Sequence, residues 1–144
     1  MNVIPTQQSE SRVRWWIVFL ALVGIAVASL ALREHYRVGT SPCSINDRWD
    51  CGTVNHSPYA VLARVPVAVI GIGGYVLLGL LAAIKAIKPL FFTALAGLAF
   101  SLYLTRIEAY VLEVWCIYCV ASLATITLIT ISSGITLAMK RAQS

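Results

Sequence analysis

The chain has 144 residues, 59% of them hydrophobic and 12% charged, with a formal net charge of +5. Soluble domains carry roughly twice that charged fraction, so lipid rather than water must be the solvent for most of the apolar side chains. The basic residues stand in ones and twos beside apolar runs, not on one face or stripe, which excludes a nucleic-acid-binding surface.

The expected fold is all-α: an integral membrane four-helix bundle forming a single domain over 1–144, with a long outer loop between helices 1 and 2. Residues 1–14 form a polar N-terminal segment. The first apolar run, 15–32, approaches the ~18–20 residues that cross a hydrocarbon core as a helix. Its arginine-bearing start and Ala26-Val27-Ala28 also resemble a secretory signal with its cleavage site. The run exceeds the ~7–15-residue core of such signals, which favours a retained span.

Residues 33–64 are polar and rich in turn formers. Cys43 and Cys51 lie here, separated by a turn-competent segment able to close a small disulfide loop exposed to a soluble partner. His35 and His56 read as solvated loop residues. Asn55-His56-Ser57 matches a glycosylation pattern, although so short a match is weak. Ser57 before Pro58 reads as the N-cap of a short helix over 58–62.

The second run, 65–84, contains Gly71-Ile72-Gly73-Gly74. It lacks the strand–turn–helix setting of a nucleotide fingerprint and fits close helix packing instead. A basic turn, 85–89, leads to the third run, 90–109. Arg106 and Glu108 near its outer end are either functional charges or side chains that snorkel to the interface. A short connection with Glu113 and Trp115 precedes the last run, 117–139. None of the runs alternates with period two, so none is a strand.

Charge bias sets the expected direction. Arg12, Arg14, Lys85, Lys88, Lys140 and Arg141 share one side with Glu10 as its only acid, against four arginines on the other side. Six against four places both termini in the cytoplasm. Trp15 and Trp16 then fit an inner aromatic belt, and Tyr110, Trp115 and Tyr118 an outer one.

All four cysteines therefore fall at the outer face, where disulfides persist. Cys116 and Cys119 are spaced i, i+3 near a helix start, which brings their β-carbons to roughly 5–6 Å. The helix N-terminus favours a thiolate there, the species that attacks disulfides. Two other readings stand beside a redox relay. One is a pair of inert structural disulfides in a non-enzymatic membrane protein. The other is a metal site that adds His35 or His56, disfavoured because Cys43 and Cys51 lie too far apart for zinc spacing.

The segment from Cys51 to Ala60, followed by Val65-Pro66, resembles the vitamin K epoxide reductase family, as does Trp115-Cys116-Ile117-Tyr118-Cys119-Val120-Ala121-Ser122. The related DsbB family carries its Cys-x-x-Cys in the first outer loop rather than the second. The resemblance implies a four-helix bundle around a quinone (of ubiquinone, menaquinone or vitamin K type) near the outer face. Cys119 would lie nearest the quinone, Cys51 would exchange with Cys116, and Ser57 would hydrogen-bond the quinone. It further implies a bacterial inner-membrane enzyme, with no metal, that supports disulfide formation in exported proteins. The family's fused thioredoxin domain is not in this sequence, so the expected partner is a separate thioredoxin-fold (DsbA-like) protein attacking an exposed Cys43. Reduction of vitamin K epoxide itself is the narrower alternative.

Overall fold

The computed structural model describes residues 3–39 and 42–143. Its helices are α1 Val3–Tyr36, the short α2 Cys51–Asn55, α3 Val67–Ala83, α4 Ile87–Ile107 and α5 Ile117–Gln143. The bundle is all-α, as the composition implies. Three helical stretches, Gln8–Tyr36, Ile87–Leu112 and Ile117–Ala142, are long and apolar enough to cross a membrane, while α3 is apolar but shorter at 17 residues.

α1 packs on α3 and α5, and α4 on α5. Ile17, Leu20, Leu78, Leu90 and Ile129 form the buried centre. Phe19, Leu22, Leu80, Phe92, Leu128 and Ile131 point outward and stay exposed, a surface suited to lipid. Hydroxyl side chains inside α5 are satisfied locally. Thr125, Thr130 and Ser133 donate to the carbonyls of Ala121, Ile126 and Ile129, one turn back.

The tight helix contact is not at the glycine cluster. Gly73 and Gly74 face open space, and Gly71 makes only ordinary contact with Ala28. It is Gly24 on α1 that admits the Tyr75 ring, which a β-carbon there would overlap. The Tyr75 hydroxyl then meets the Ser122 carbonyl at 2.9 Å and its hydroxyl at 2.8 Å, tying α1, α3 and α5 together.

Three boundaries differ from the hydropathy reading. α1 has 34 residues, a length of about 50 Å, so its polar ends project beyond a ~30 Å hydrocarbon core. Its last turn takes in Arg33, Glu34 and His35, with Glu34 ion-paired to Arg37 at 3.2 Å. Instead of a helix over 58–62 there is a single 3-10 turn, Pro58–Ala60, followed by a hairpin of β1 Val61–Leu62 and β2 Val65–Pro66. Its two turn residues, Ala63 and Arg64, both have positive φ (51° and 69°), a geometry usually given to Asn-Gly.

The α3–α4 turn closes as a Schellman motif. Lys85 N–H donates to Ala82 O at 3.1 Å and Ala86 N–H to Leu81 O at 2.9 Å. Lys85 takes the left-handed position, φ 63°. α4 then starts at Ile87 with Pro89 in its first turn, where a missing N–H costs nothing.

Candidate functional site

The cysteine loop is built from the inside out. Asp50 caps α2: its carboxylate accepts from Thr53 N at 3.2 Å, Thr53 Oγ1 at 2.7 Å and Ser44 Oγ at 2.6 Å. The Ser44 hydroxyl, then that of Thr53, hold this carboxyl below its ordinary range. Asn46 Oδ1 accepts the backbone N–H groups of Arg48 and Trp49, folding the segment between the two cysteines back on itself.

That folded segment docks on the connection before α5. Trp49 and Trp115 form a parallel bridge, in which Trp115 N–H donates to Arg48 O and Asp50 N–H donates to Trp115 O at 3.0 Å. Their indoles lie 6.3 Å apart. Cys51 and Cys116 are each close behind this bridge, so the pairing carries them together. Both are fully buried, in one cluster with Cys43 and Val54.

Cys43 and Cys51 are joined as a disulfide, with Cα atoms 5.6 Å apart. Cys43 is only 6% exposed, so the expectation of an open loop sulfur is corrected. The Trp49–Trp115 pairing draws the segment from Ile45 to Cys51 over the cysteine cluster as a cap. Cys116 and Cys119 are free thiols. Cys116 immediately precedes α5, and its carbonyl accepts from Val120 N–H at 3.0 Å. The hydrogen bond with Cys119 holds the Cys116 thiol below its ordinary range, against the opposing effects of burial and the Glu108 charge.

Three further side chains stand by this pair, none of them among the expected relay or quinone-binding residues. Asn55, read there only as part of a glycosylation pattern, is buried; its Nδ2 donates to Cys51 O at 2.8 Å and to Cys116 Sγ at 3.5 Å. Glu108 does not snorkel. It is 3% exposed, its Oε2 accepts from Cys116 N–H at 3.2 Å, and its side chain lines the same cavity as Cys119. It begins a π-helical turn, Glu108–Leu112, a distortion that recurs at functional sites. His35 is likewise not a solvated loop residue. It is half-buried in the last turn of α1, with Nδ1 2.7 Å from Asn55 O and its ring 6.4 Å from the exposed His56.

Beneath the cap lies a cavity of about 120 Å³ among α1, α3, α4 and α5. Its wall is mostly apolar, with Val27, Ala28, Phe100 and Leu104, and its polar edge includes His35, Ser57, Glu108, Cys119 and Ser122. Cys119 lines this space; Cys116 does not, and packs with the loop cysteines instead. Ser57 stands at the N-terminus of the 3-10 turn but makes no capping bond; its hydroxyl donates to Val54 O at 2.8 Å. Among the described residues, no three His, Cys, Asp or Glu side chains come together as a metal-ligand set.

The site thus has two sides, a buried cysteine cluster under the loop and a cavity within the bundle, with the Cys-x-x-Cys pair between them. The family model described as the vitamin K epoxide reductase family matches residues 15–133, which takes in every residue of this site. No individual curated protein matches the chain significantly.

Proposed function

Because the chain belongs to the vitamin K epoxide reductase family, we propose that it passes electrons from the dithiol of a thioredoxin-fold protein, through its two cysteine pairs, to a quinone. Disulfide formation in exported proteins is the process this serves. The coarser statement stands on the family and the apolar helices together: this is an integral membrane protein of an oxidoreductase family.

The observation that carries the reading is the split placement of one thiol pair. Cys116 belongs to the cluster of the loop disulfide, while Cys119 faces the cavity. A pair placed that way can take electrons on one side and give them up on the other. The cavity's size also fits. An apolar cavity of roughly 150 Å³ holds benzene, so about 120 Å³ is the scale of one quinone ring before any adjustment of its walls. A quinone held there would take up two electrons and two protons and leave as the quinol.

Each step of the relay exchanges one disulfide for another. The partner's thiolate attacks Cys43 Sγ and breaks the Cys43–Cys51 bond, and the partner's second thiol displaces Cys43, so that the partner leaves oxidised and both loop cysteines are reduced. Cys51 then attacks Cys116 in a Cys116–Cys119 disulfide, and Cys119 departs as a thiolate facing the cavity. Attack by Cys43 on Cys51 re-forms the loop disulfide and frees Cys116. Loop pair oxidised and inner pair reduced is the arrangement described above. Cys119 then delivers the electrons, and Cys116 closes the inner disulfide.

The surrounding groups have separable parts in this scheme. Asn55 supplies a donor to the Cys116 sulfur. Glu108 holds the backbone of Cys116 and is placed to hold a thiol proton. The Ser57 hydroxyl lines the cavity and, turned away from Val54 O, would donate to negative charge developing on a carbonyl oxygen. The setting is the bacterial cell membrane with both termini cytoplasmic, which the lysine and arginine bias supports. The buried state of Cys43 adds a requirement: the cap over the cluster must open for a protein partner to reach it.

The test compares two reductants on purified protein, a reduced thioredoxin-fold protein and a small membrane-permeant dithiol. Cys119→Ala should abolish quinone reduction with both. Cys43→Ala should block turnover with the protein yet spare the small dithiol. Equal failure of Cys43→Ala with both reductants would sink the two-stage relay.

A further inference from the structure

At the end of the bundle away from the cysteines lies a second cavity, of about 340 Å³. Its charged lining comes from separate elements: Arg14 and Glu10 on α1, Lys85 in the α3–α4 turn, and Lys140 near the end of α5. Buried Ile17, Ala82 and Leu90 form its floor, and Ser11 and Thr136 add hydroxyls. Three cations therefore face one carboxylate in a single concave space.

Among the described residues none of the three cations is in an ion pair, and Glu10 pairs with none of them. The Arg14 guanidinium lies 5.2 Å over the Trp15 ring, and its Nε is buried without a hydrogen-bond partner. A buried donor of that kind is costly unless something accepts from it. Lys85 adds an independent observation. It occupies the left-handed position of a Schellman closure, φ 63°, where glycine carries no steric penalty and lysine does. A lysine at that position costs the turn some local stability, and its side chain lines the cavity.

We propose that this cavity binds a phosphate group, and that the phosphate is that of an anionic phospholipid headgroup. A phosphate accepts from the guanidinium and both ammonium groups and offsets their charge. Headgroup hydroxyls match Glu10, Ser11 and Thr136. The lipid source is favoured over free phosphate by what stands beside each cation. Trp15, Ile84 and Met139 are exposed apolar neighbours of Arg14, Lys85 and Lys140 in the chain, and they give the acyl chains and glycerol backbone a surface to lie on. This binding needs no redox step, so it stands or falls apart from the electron relay.

The experiment uses the purified full chain in neutral detergent and reads its unfolding temperature against added phosphatidylglycerol, phosphatidylcholine or inorganic phosphate. Phosphatidylglycerol should raise the midpoint saturably, and phosphatidylcholine should not. Arg14→Gln should weaken the apparent affinity by about tenfold or more, the scale of one charge-assisted hydrogen bond. Lys85→Gly should move two readouts in opposite directions. The lipid-free midpoint rises because glycine suits the turn, while the shift produced by phosphatidylglycerol shrinks. Native mass spectrometry should show one phosphatidylglycerol retained per chain and lost in both variants. An equal, saturable shift with inorganic phosphate keeps the site and overturns the lipid as its occupant. Equal phosphatidylglycerol shifts in the wild type and Lys85→Gly, or an equal shift with phosphatidylcholine, overturn the site.

Discussion

Replacing Asn55 with alanine removes a side chain that bonds to both cysteine pairs. Its Nδ2 lies 2.8 Å from Cys51 O and 3.5 Å from Cys116 Sγ, and the residue is 7% exposed. Cys51 O keeps its helical bond from the backbone N–H of residue 55, so losing the side-chain bond costs about 0.5–1.5 kcal/mol in stability. Losing the second acts on the two protonation states of Cys116 unequally. A neutral sulfur is a weak acceptor, whereas a hydrogen bond to a charged group is worth about 1.5–3 kcal/mol. The Cys116 titration should therefore move up, and the ratio of thiolate to thiol at a given pH should fall by about tenfold or more, the scale of that bond. The basicity of the remaining thiolate recovers part of the lost exchange rate. The assay is a pH titration of reduced Cys116, followed by carbon-13 NMR of cysteine-labelled protein in detergent. Asn55→Asp is the sharper companion, because it keeps the shape, cannot donate when ionised and adds a like charge, so its shift should be larger and in the same direction. A midpoint that moves by less than about half a unit, or downward, would refute the assigned role of the amide.

Other perturbations test the cap and the carboxylate. The Asp50 carboxyl titrates below its ordinary value of 3.8. Because the folded state has the lower pKa, its stabilisation is fully present above the unfolded value and is lost as pH falls through the folded one. Amide protection factors over 43–55 should therefore hold down to about pH 4 and drop below it, and Asp50→Ala should lower them already at neutral pH, by about 1 kcal/mol. Glu108→Gln keeps an acceptor for Cys116 N–H but removes the charge that pushes the Cys116 thiol up. The Cys116 midpoint should fall in that variant, and an unchanged midpoint would mean that no ionised carboxylate sits beside the thiol.

The four helices were legible because lipid exposure imposes a length of apolar sequence that hydropathy reads directly. Their ends were not, because other forces decide them. The apolar run of α1 stops at Leu32, yet the helix continues to Tyr36. Glu34 is buried and ion-paired there, and no window of hydropathy registers that. The hairpin at 61–66 is invisible for the opposite reason. Ala63 and Arg64 occupy positions whose usual signal is Asn-Gly, so the local chemistry argues against the turn that forms.

The reactive cysteines were legible from their spacing, but what surrounds them was not, because it depends on a pairing between distant parts of the chain. Nothing near Cys43 in sequence says that it is buried; it is buried because Trp49 docks on Trp115. Glu108 shows the same dependence at closer range. Read as part of a regular helix, it is a charge near the membrane edge, with snorkelling as its easiest escape. The π-helical turn from Glu108 to Leu112 accommodates one more residue per turn than an α-helix does, and Glu113 then takes a left-handed conformation, φ 55°. Those two departures reverse the chain within a few residues and bring Cys116 N–H onto the carboxylate. The distortion thus turns an interfacial charge into a partner of the Cys-x-x-Cys segment, which is a reason for the chain to retain a locally unfavourable turn at that point.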